Sequence, residues 1–236
     1  MTYNWAEELT AMEIFSSHHL ICLALSFASI AVVLLIGRRL ESAGSAKPLR
    51  YAIGISCLLA YPVTLLAYQL AGYHMPIEIK IPYHLCDLSV ILAGFAMIYK
   101  QATLRELVYY WGLAGATQAM LTPDINESFT HPVALAFYFS HLGVVCAALY
   151  LPICIGWRPR AGSVRRAVGW LAVYATIAGA LNFLLGANFG FLAAKPSESS
   201  LIDVMGPWPW YILSLGAIAS LLFWLLSLPF RQTKQK

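Results

Sequence analysis

The sequence predicts an all-α fold, a single polytopic bundle of seven transmembrane helices over residues 1–236, with its N-terminus outside and its C-terminus in the cytoplasm. Three observations carry that expectation. Hydrophobic residues make up 60% of the chain and charged ones 11%, against soluble averages of about 45–50% and about 25%. Seven apolar stretches recur, each close to the ~20 residues that cross ~30 Å of hydrocarbon as a helix. The basic residues fall almost entirely in alternate connections. A soluble domain of this size could not hide so much apolar surface, and the chain is too short for a bundle plus a soluble domain.

The spans read as 17–37, 51–72, 83–99, 105–121, 133–156, 167–186 and 209–228. The first has no basic leader and no small-residue cleavage pattern, so it reads as a retained helix. His18 and His19 open it, as interface anchors. Arg38, Arg39, Lys47 and Arg50 separate spans one and two, and Lys100 and Arg105 separate three and four. Arg158, Arg160, Arg165 and Arg166 separate five and six, and Arg231, Lys234 and Lys236 form the tail. That assigns 13 of the 15 basic residues to one side, leaving Lys80 and Lys195 on the other. The positive-inside rule makes the basic side cytoplasmic. Glu7, Glu8, Glu13, Glu78, Asp124, Glu127, Glu198 and Asp203 then fall outside. The net charge of +4 is therefore a topology signal rather than a nucleic-acid signal.

The third and fourth spans are short enough to be tilted or flanked by interfacial turns. Before the third, Pro76 and Pro82 bracket the alternating stretch Ile77-Glu78-Ile79-Lys80-Ile81, which suits a short extended or re-entrant piece. The connection 187–207 is the longest on the outer side, long enough to fold over a pocket as a lid. Trp208, Trp210 and Tyr211 suit an interfacial aromatic belt at the start of the last span. No internal repeat, lipidation signal, Walker motif or dinucleotide fingerprint is present.

Unusual polar groups gather toward the outer ends of the spans: His84, Cys86, Asp87, Asp124, His141, Asn182 and Asn188. Polar groups within hydrocarbon are costly and usually functional. If the third helix starts near Pro82, Cys86 lies in its first turn, where free N–H groups favour a thiolate and can hold an oxyanion. His84 and Asp87, three apart, can face each other, so Asp87 would orient His84 or satisfy its ring N–H. Asp87 beside Cys86 would oppose thiolate formation. A base for Cys86 is better drawn from another helix, and His141, a few turns into span five, is the candidate.

Plainer readings stand beside this one. Free cysteines are ordinary packing residues in apolar helices, which is the reading for Cys22, Cys57, Cys146 and Cys154. With Cys86 they make five, with no spacing that indicates a disulfide framework. A lone membrane histidine often bonds a neighbouring helix. Gln118 and Asn182 suit interhelical hydrogen bonds. His84, Asp87 and His141 have usable metal-ligand types but no supporting spacing, so no metal and no cofactor is assigned.

Several blocks of the chain resemble a known family. They are His84-Leu85-Cys86-Asp87, Trp111-Gly112-Leu113-Ala114-Gly115, Thr122-Pro123-Asp124 and Ser140-His141. To these add Asn182 through Asn188, Lys195-Pro196 and Gly206-Pro207-Trp208-Pro209-Trp210-Tyr211. In order along nearly the whole chain, they look like the YwaF-type bacterial integral membrane proteins. That group is similar, more distantly, to the transmembrane protein 164 acyltransferases, which move fatty acyl chains between phospholipids. The resemblance implies Cys86 as nucleophile and His141 as base, with membrane phospholipids or other acyl-chain substrates as partners. It assigns no role to Asp124 or Asn188. The expected location is a bacterial cytoplasmic (inner) membrane. The competing expectation is a non-catalytic carrier or ligand-binding protein whose outward-facing pocket uses His84, Asp87 and His141. Polar residues are sparse in the cytoplasmic half, which counts against a carrier.

Overall fold

A computed structural model describes residues 14–125, 127–196 and 200–231. Of the charges used for topology, Glu7, Glu8, Glu13, Glu198, Lys234 and Lys236 lie outside the described residues. Among the described residues every regular element is helical. Six helices are long and apolar enough to cross a membrane, and the chain is a multi-pass membrane protein. The long helices are α1 (Ser17–Ser42), α2 (Lys47–Leu70), α7 (Pro132–Ile153), α8 (Ser163–Leu185) and α9 (Trp210–Ser227). The sixth candidate span combines a one-turn helix, α3 (Ile77–Lys80), with α4 (Leu85–Ile98).

The stretch expected as span four is helical but not regular. It consists of α5 (Ala102–Trp111), a π turn over Gly112–Ala116, and α6 (Thr117–Leu121). Such π turns recur at functional sites. Here the turn lies against α7, because a Cβ on Gly112 would come within 2.7 Å of Val144 Cγ1. Gly112 therefore serves packing within the chain, whereas Gly115 has nothing within 4 Å of its Cβ position.

Three further structural findings correct the sequence reading. The stretch after Pro76 is not extended, since Ile77–Lys80 forms a helical turn. Pro76 supplies the extended cap residue and Glu78 an acid in the first turn, which favours the helix terminus. The helix bearing Cys86 starts at Leu85 rather than Pro82, with His84 as its cap residue. His19 is not an interface anchor. It is fully buried, with Nε2 3.0 Å from the Met120 carbonyl oxygen and Nδ1 accepting the Phe15 N–H at 2.9 Å. His18 remains exposed and stacks on Phe129.

The packing centre is α7, which touches α1, α2, α4 and α5. Small residues let the backbones approach, as expected where lipid offers no hydrophobic drive between helices. A Cβ on Gly94 would lie 2.5 Å from Leu58 Cγ and 2.9 Å from the Gly54 carbonyl, so α2 and α4 meet nearly backbone to backbone. Gly143 of α7 faces Cys57 of α2 in the same way, at 3.2 Å. A core of Cys57, Val90, Ala93, Ala96, Val144 and Ala147 follows.

The basic ends of the helices gather together. Glu106, 1% exposed, accepts from the Arg160 backbone N–H, from Arg160 Nε and Nη2, and from Arg166 Nε and Nη2, all at 2.8–3.1 Å. Arg50 Nε lies 3.3 Å from Glu41 Oε1, which also accepts the Tyr150 hydroxyl. These clasps tie the α1–α2 and α7–α8 connections to the helices beside them.

Candidate functional site

The opposite end carries the residues singled out from the sequence. Cys86 is the second residue of α4 and partly buried. The backbone N–H groups of Cys86 and Asp87 lie in the first turn of α4, among those a helix N-terminus leaves without an intrahelical partner. Asp87 does not orient the His84 ring. Its Oδ2 accepts the His84 backbone N–H at 3.1 Å, closing the first turn of α4 as the acidic half of a capping box. The His84 ring turns elsewhere, and its Nδ1 accepts the Gly190 backbone N–H at 3.3 Å.

That contact comes from the long outer connection. Helix α8 ends at Gly186, left-handed at φ 64°, with the Ala187 N–H returning to the Asn182 carbonyl. A tight turn, Phe189–Phe191, follows and forms a strap against the α4 N-terminus. Phe189 and Phe191 flank the His84 ring, with centroids at 5.8 and 5.6 Å. Asn182 is no interhelical partner. Its Oδ1 accepts the Phe189 N–H at 2.7 Å and its Nδ2 donates to the Phe189 carbonyl at 3.1 Å. Asn188 uses its Oδ1 for the Ala193 and Ala194 N–H groups, and its own N–H donates to Glu78 Oε1 at 2.9 Å. Tyr211 is fully buried rather than interfacial, and its hydroxyl donates to the Phe191 carbonyl at 2.6 Å. Trp208 and Trp210 stay 60% and 63% exposed, as a belt requires.

His141 lies in α7, which packs directly on α4, so the third and fifth expected spans touch. Its side chain is buried and stacks on Phe137 at 4.1 Å. Nδ1 sits 2.8 Å from the Phe137 carbonyl oxygen and 3.1 Å from Ser140 Oγ. No hydrogen bond links His141 to Cys86 among the described residues. Helix register gives their offset. Gly94 is level with Gly54, Cys57 with Gly143, and each residue rises about 1.5 Å, so Cys86 lies about one helical turn outward of His141.

The remaining candidates scatter. Gln118 Nε2 donates to Thr122 Oγ1 at 3.1 Å within its own helix, not across helices. Asp124 is exposed after α6, and Glu127, Asp124 and Asp87 all lie within electrostatic reach of the Tyr68 hydroxyl. All five cysteines are free. Cys57 and Cys146 are buried in the core, and Cys154 Sγ donates to the Leu34 carbonyl at 3.4 Å. No three His, Cys, Asp or Glu side chains gather as a metal cluster among the described residues.

Two residues at the site escape the sequence reading. Tyr174, mid-helix in α8, packs beside Tyr83 and lies within electrostatic reach of Cys86 and Asp87. Gly190 needs φ 65°, and a Cβ there would meet Tyr174 Oη at 2.5 Å. Only the turn-prone Asn188-Phe189-Gly190 composition hinted at it.

No curated protein and no solved structure matches the chain. A model of the TMEM164 family matches residues 14–227, a stretch that contains α4, α7 and the strap. The chain therefore belongs to the TMEM164 family.

Proposed function

We propose that this protein is a phospholipid acyltransferase of a bacterial inner membrane, a single seven-span bundle with its N-terminus outside and its C-terminus in the cytoplasm. The stretch Ala102–Leu121 would be the remaining crossing, since a helix of that length covers about 30 Å despite its π turn. The gathered basic ends support a cytoplasmic assignment for that face. Cys86 is the nucleophile and His141 the base.

The observation that carries this reading is the pairing of a cysteine in the first turn of α4 with a histidine on the α7 helix packed against it. A nucleophile there sits at the depth of phospholipid ester groups. Cys86 would attack an ester carbonyl, forming an acyl thioester that passes to a lysophospholipid or other alcohol. The one-turn offset is compatible with this role, because catalytic hydrogen bonds often tighten only in the substrate complex. The test is acyl exchange in proteoliposomes from a labelled phospholipid to a lysophospholipid. Transfer should vanish in Cys86→Ala and fall by about 10²–10⁴ in His141→Ala, the range general-base loss produces. Full transfer by Cys86→Ala would refute the mechanism. Specific lipid binding without turnover, retained in Cys86→Ala, would favour a non-catalytic binding protein instead.

A further inference from the structure

The described histidine rings sort by what their nitrogens face. His19 has both nitrogens engaged, one by a backbone N–H and one by a carbonyl, and is structural. His84 and His141 each have bonds described at Nδ1 alone, and the two partners are opposite in kind. At His84 the partner is the Gly190 backbone N–H, which can only donate, so Nδ1 holds the lone pair and Nε2 holds the proton. At His141 the partner is the Phe137 carbonyl, which can only accept, so Nδ1 holds the proton and Nε2 the lone pair. Of the two, His141 can take a proton. His84 cannot do so without setting an Nδ1–H against the Gly190 N–H.

We propose that His84, held by the Phe189–Phe191 strap in its Nε2–H form, donates a hydrogen bond to the oxyanion formed during acyl transfer at Cys86. This rests on the acyl-transfer reading above. The strap is built to hold that form. Gly190 has φ 65° and lies against Tyr174, Asn182 fixes both polar groups of Phe189, and Tyr211 fixes the Phe191 carbonyl. The direction of the Gly190 N–H is therefore set by three anchors on two helices. As cap residue of α4, His84 stands two positions before Cys86, beside the N–H groups of the same turn.

In the step, the Cys86 thiol proton passes to His141 Nε2 as sulfur bonds to the ester carbonyl carbon. The carbonyl oxygen becomes the anion and accepts the His84 Nε2–H bond. Collapse breaks the carbon–oxygen ester bond, and the departing alkoxide takes the proton from His141. An acceptor hydroxyl reverses the sequence. His84 exchanges no proton, and Gly190 is a positioning residue.

The test has a readout that does not depend on turnover. In ¹⁵N-histidine-labelled full-length protein in nanodiscs, two-bond ¹⁵N–¹H correlations distinguish the two neutral forms. His84→Gln and His141→Gln assign the signals. His84 should appear as Nε2–H and His141 as Nδ1–H; a His84 signal that is Nδ1–H or doubly protonated at neutral pH overturns the proposal. In the acyl-exchange assay, His84→Gln keeps an N–H donor near the ε position and should stay within about tenfold of wild type. His84→Leu should lose about 10²–10³ in turnover with little change in KM, the loss typical of one oxyanion donor. Equal activity of the two variants overturns the donor role while leaving Cys86 and His141 in place. Undiminished transfer by Cys86→Ala would fail the underlying reading instead.

Discussion

Replacing Asn182 with Leu tests how the strap is held. The side chain is 6% exposed and closes a two-bond clamp on Phe189, itself fully buried, at 2.7 and 3.1 Å. Leu has the same number of side-chain heavy atoms in the same branched shape, so α8 should keep its packing while the Phe189 N–H and carbonyl lose their partners. Leaving a buried polar group unpaired costs about 1–3 kcal/mol, so the two together cost roughly 2–6 kcal/mol. Opening the strap exposes both groups to water and limits the loss, so the cost should appear as local opening rather than global unfolding. The lower bound corresponds to about a 30-fold faster exchange, at 1.4 kcal/mol per decade. Hydrogen exchange read by mass spectrometry over 187–195 measures it. The Asn182→Leu protein should lose protection there by at least that factor, with α2 and α7 unchanged. Unaltered protection in the strap would show that Asn182 does not hold it and that the Gly190 N–H is not fixed through Phe189.

Two other perturbations probe the scaffold beneath the site. Glu106→Gln keeps the shape but removes the charge that receives five donor contacts from Arg160 and Arg166. Because those arginine side chains are 50% and 36% exposed and can re-solvate, the loss should lie near the lower end of about 1–3 kcal/mol. Reversible unfolding in mixed micelles reads it, and an unshifted midpoint would remove this network as a source of stability. Gly94→Ala drives a methyl to 2.5 Å from Leu58 Cγ and should cost about 1–3 kcal/mol by overpacking. Adding Leu58→Ala should recover part of that cost but not all, since the Gly54 carbonyl remains 2.9 Å away. Independent, additive effects of the two substitutions would contradict the close approach of α2 and α4.

The strap shows what an irregular connection gains from rigid anchoring. Side chains from α8 and α9 pair the Phe189 N–H, the Phe189 carbonyl and the Phe191 carbonyl, so these groups of an irregular segment are satisfied at the mouth of the bundle. Glu78, at the other side of the α4 entry, joins the same arrangement through the Asn188 N–H. The strap is thereby tied both to the cap residue of α4 and to the α3 turn before it.

The sequence by itself determined the class of fold, the extent of the long helices and the common end at which polar residues gather. Apolar length and charge placement are local properties, and a bilayer reads them one segment at a time. The tertiary structure decided the partners. Asp87 against the His84 backbone rather than its ring, Asn182 against Phe189 rather than another helix, and Tyr211 inside rather than at the interface all depend on rotation about helix axes and on loop return. So does the clasp of Glu106 on two arginines more than fifty residues away. Hydropathy assigns each helix its depth, but only packing fixes which face meets which neighbour, and hydrogen-bond geometry follows from the faces.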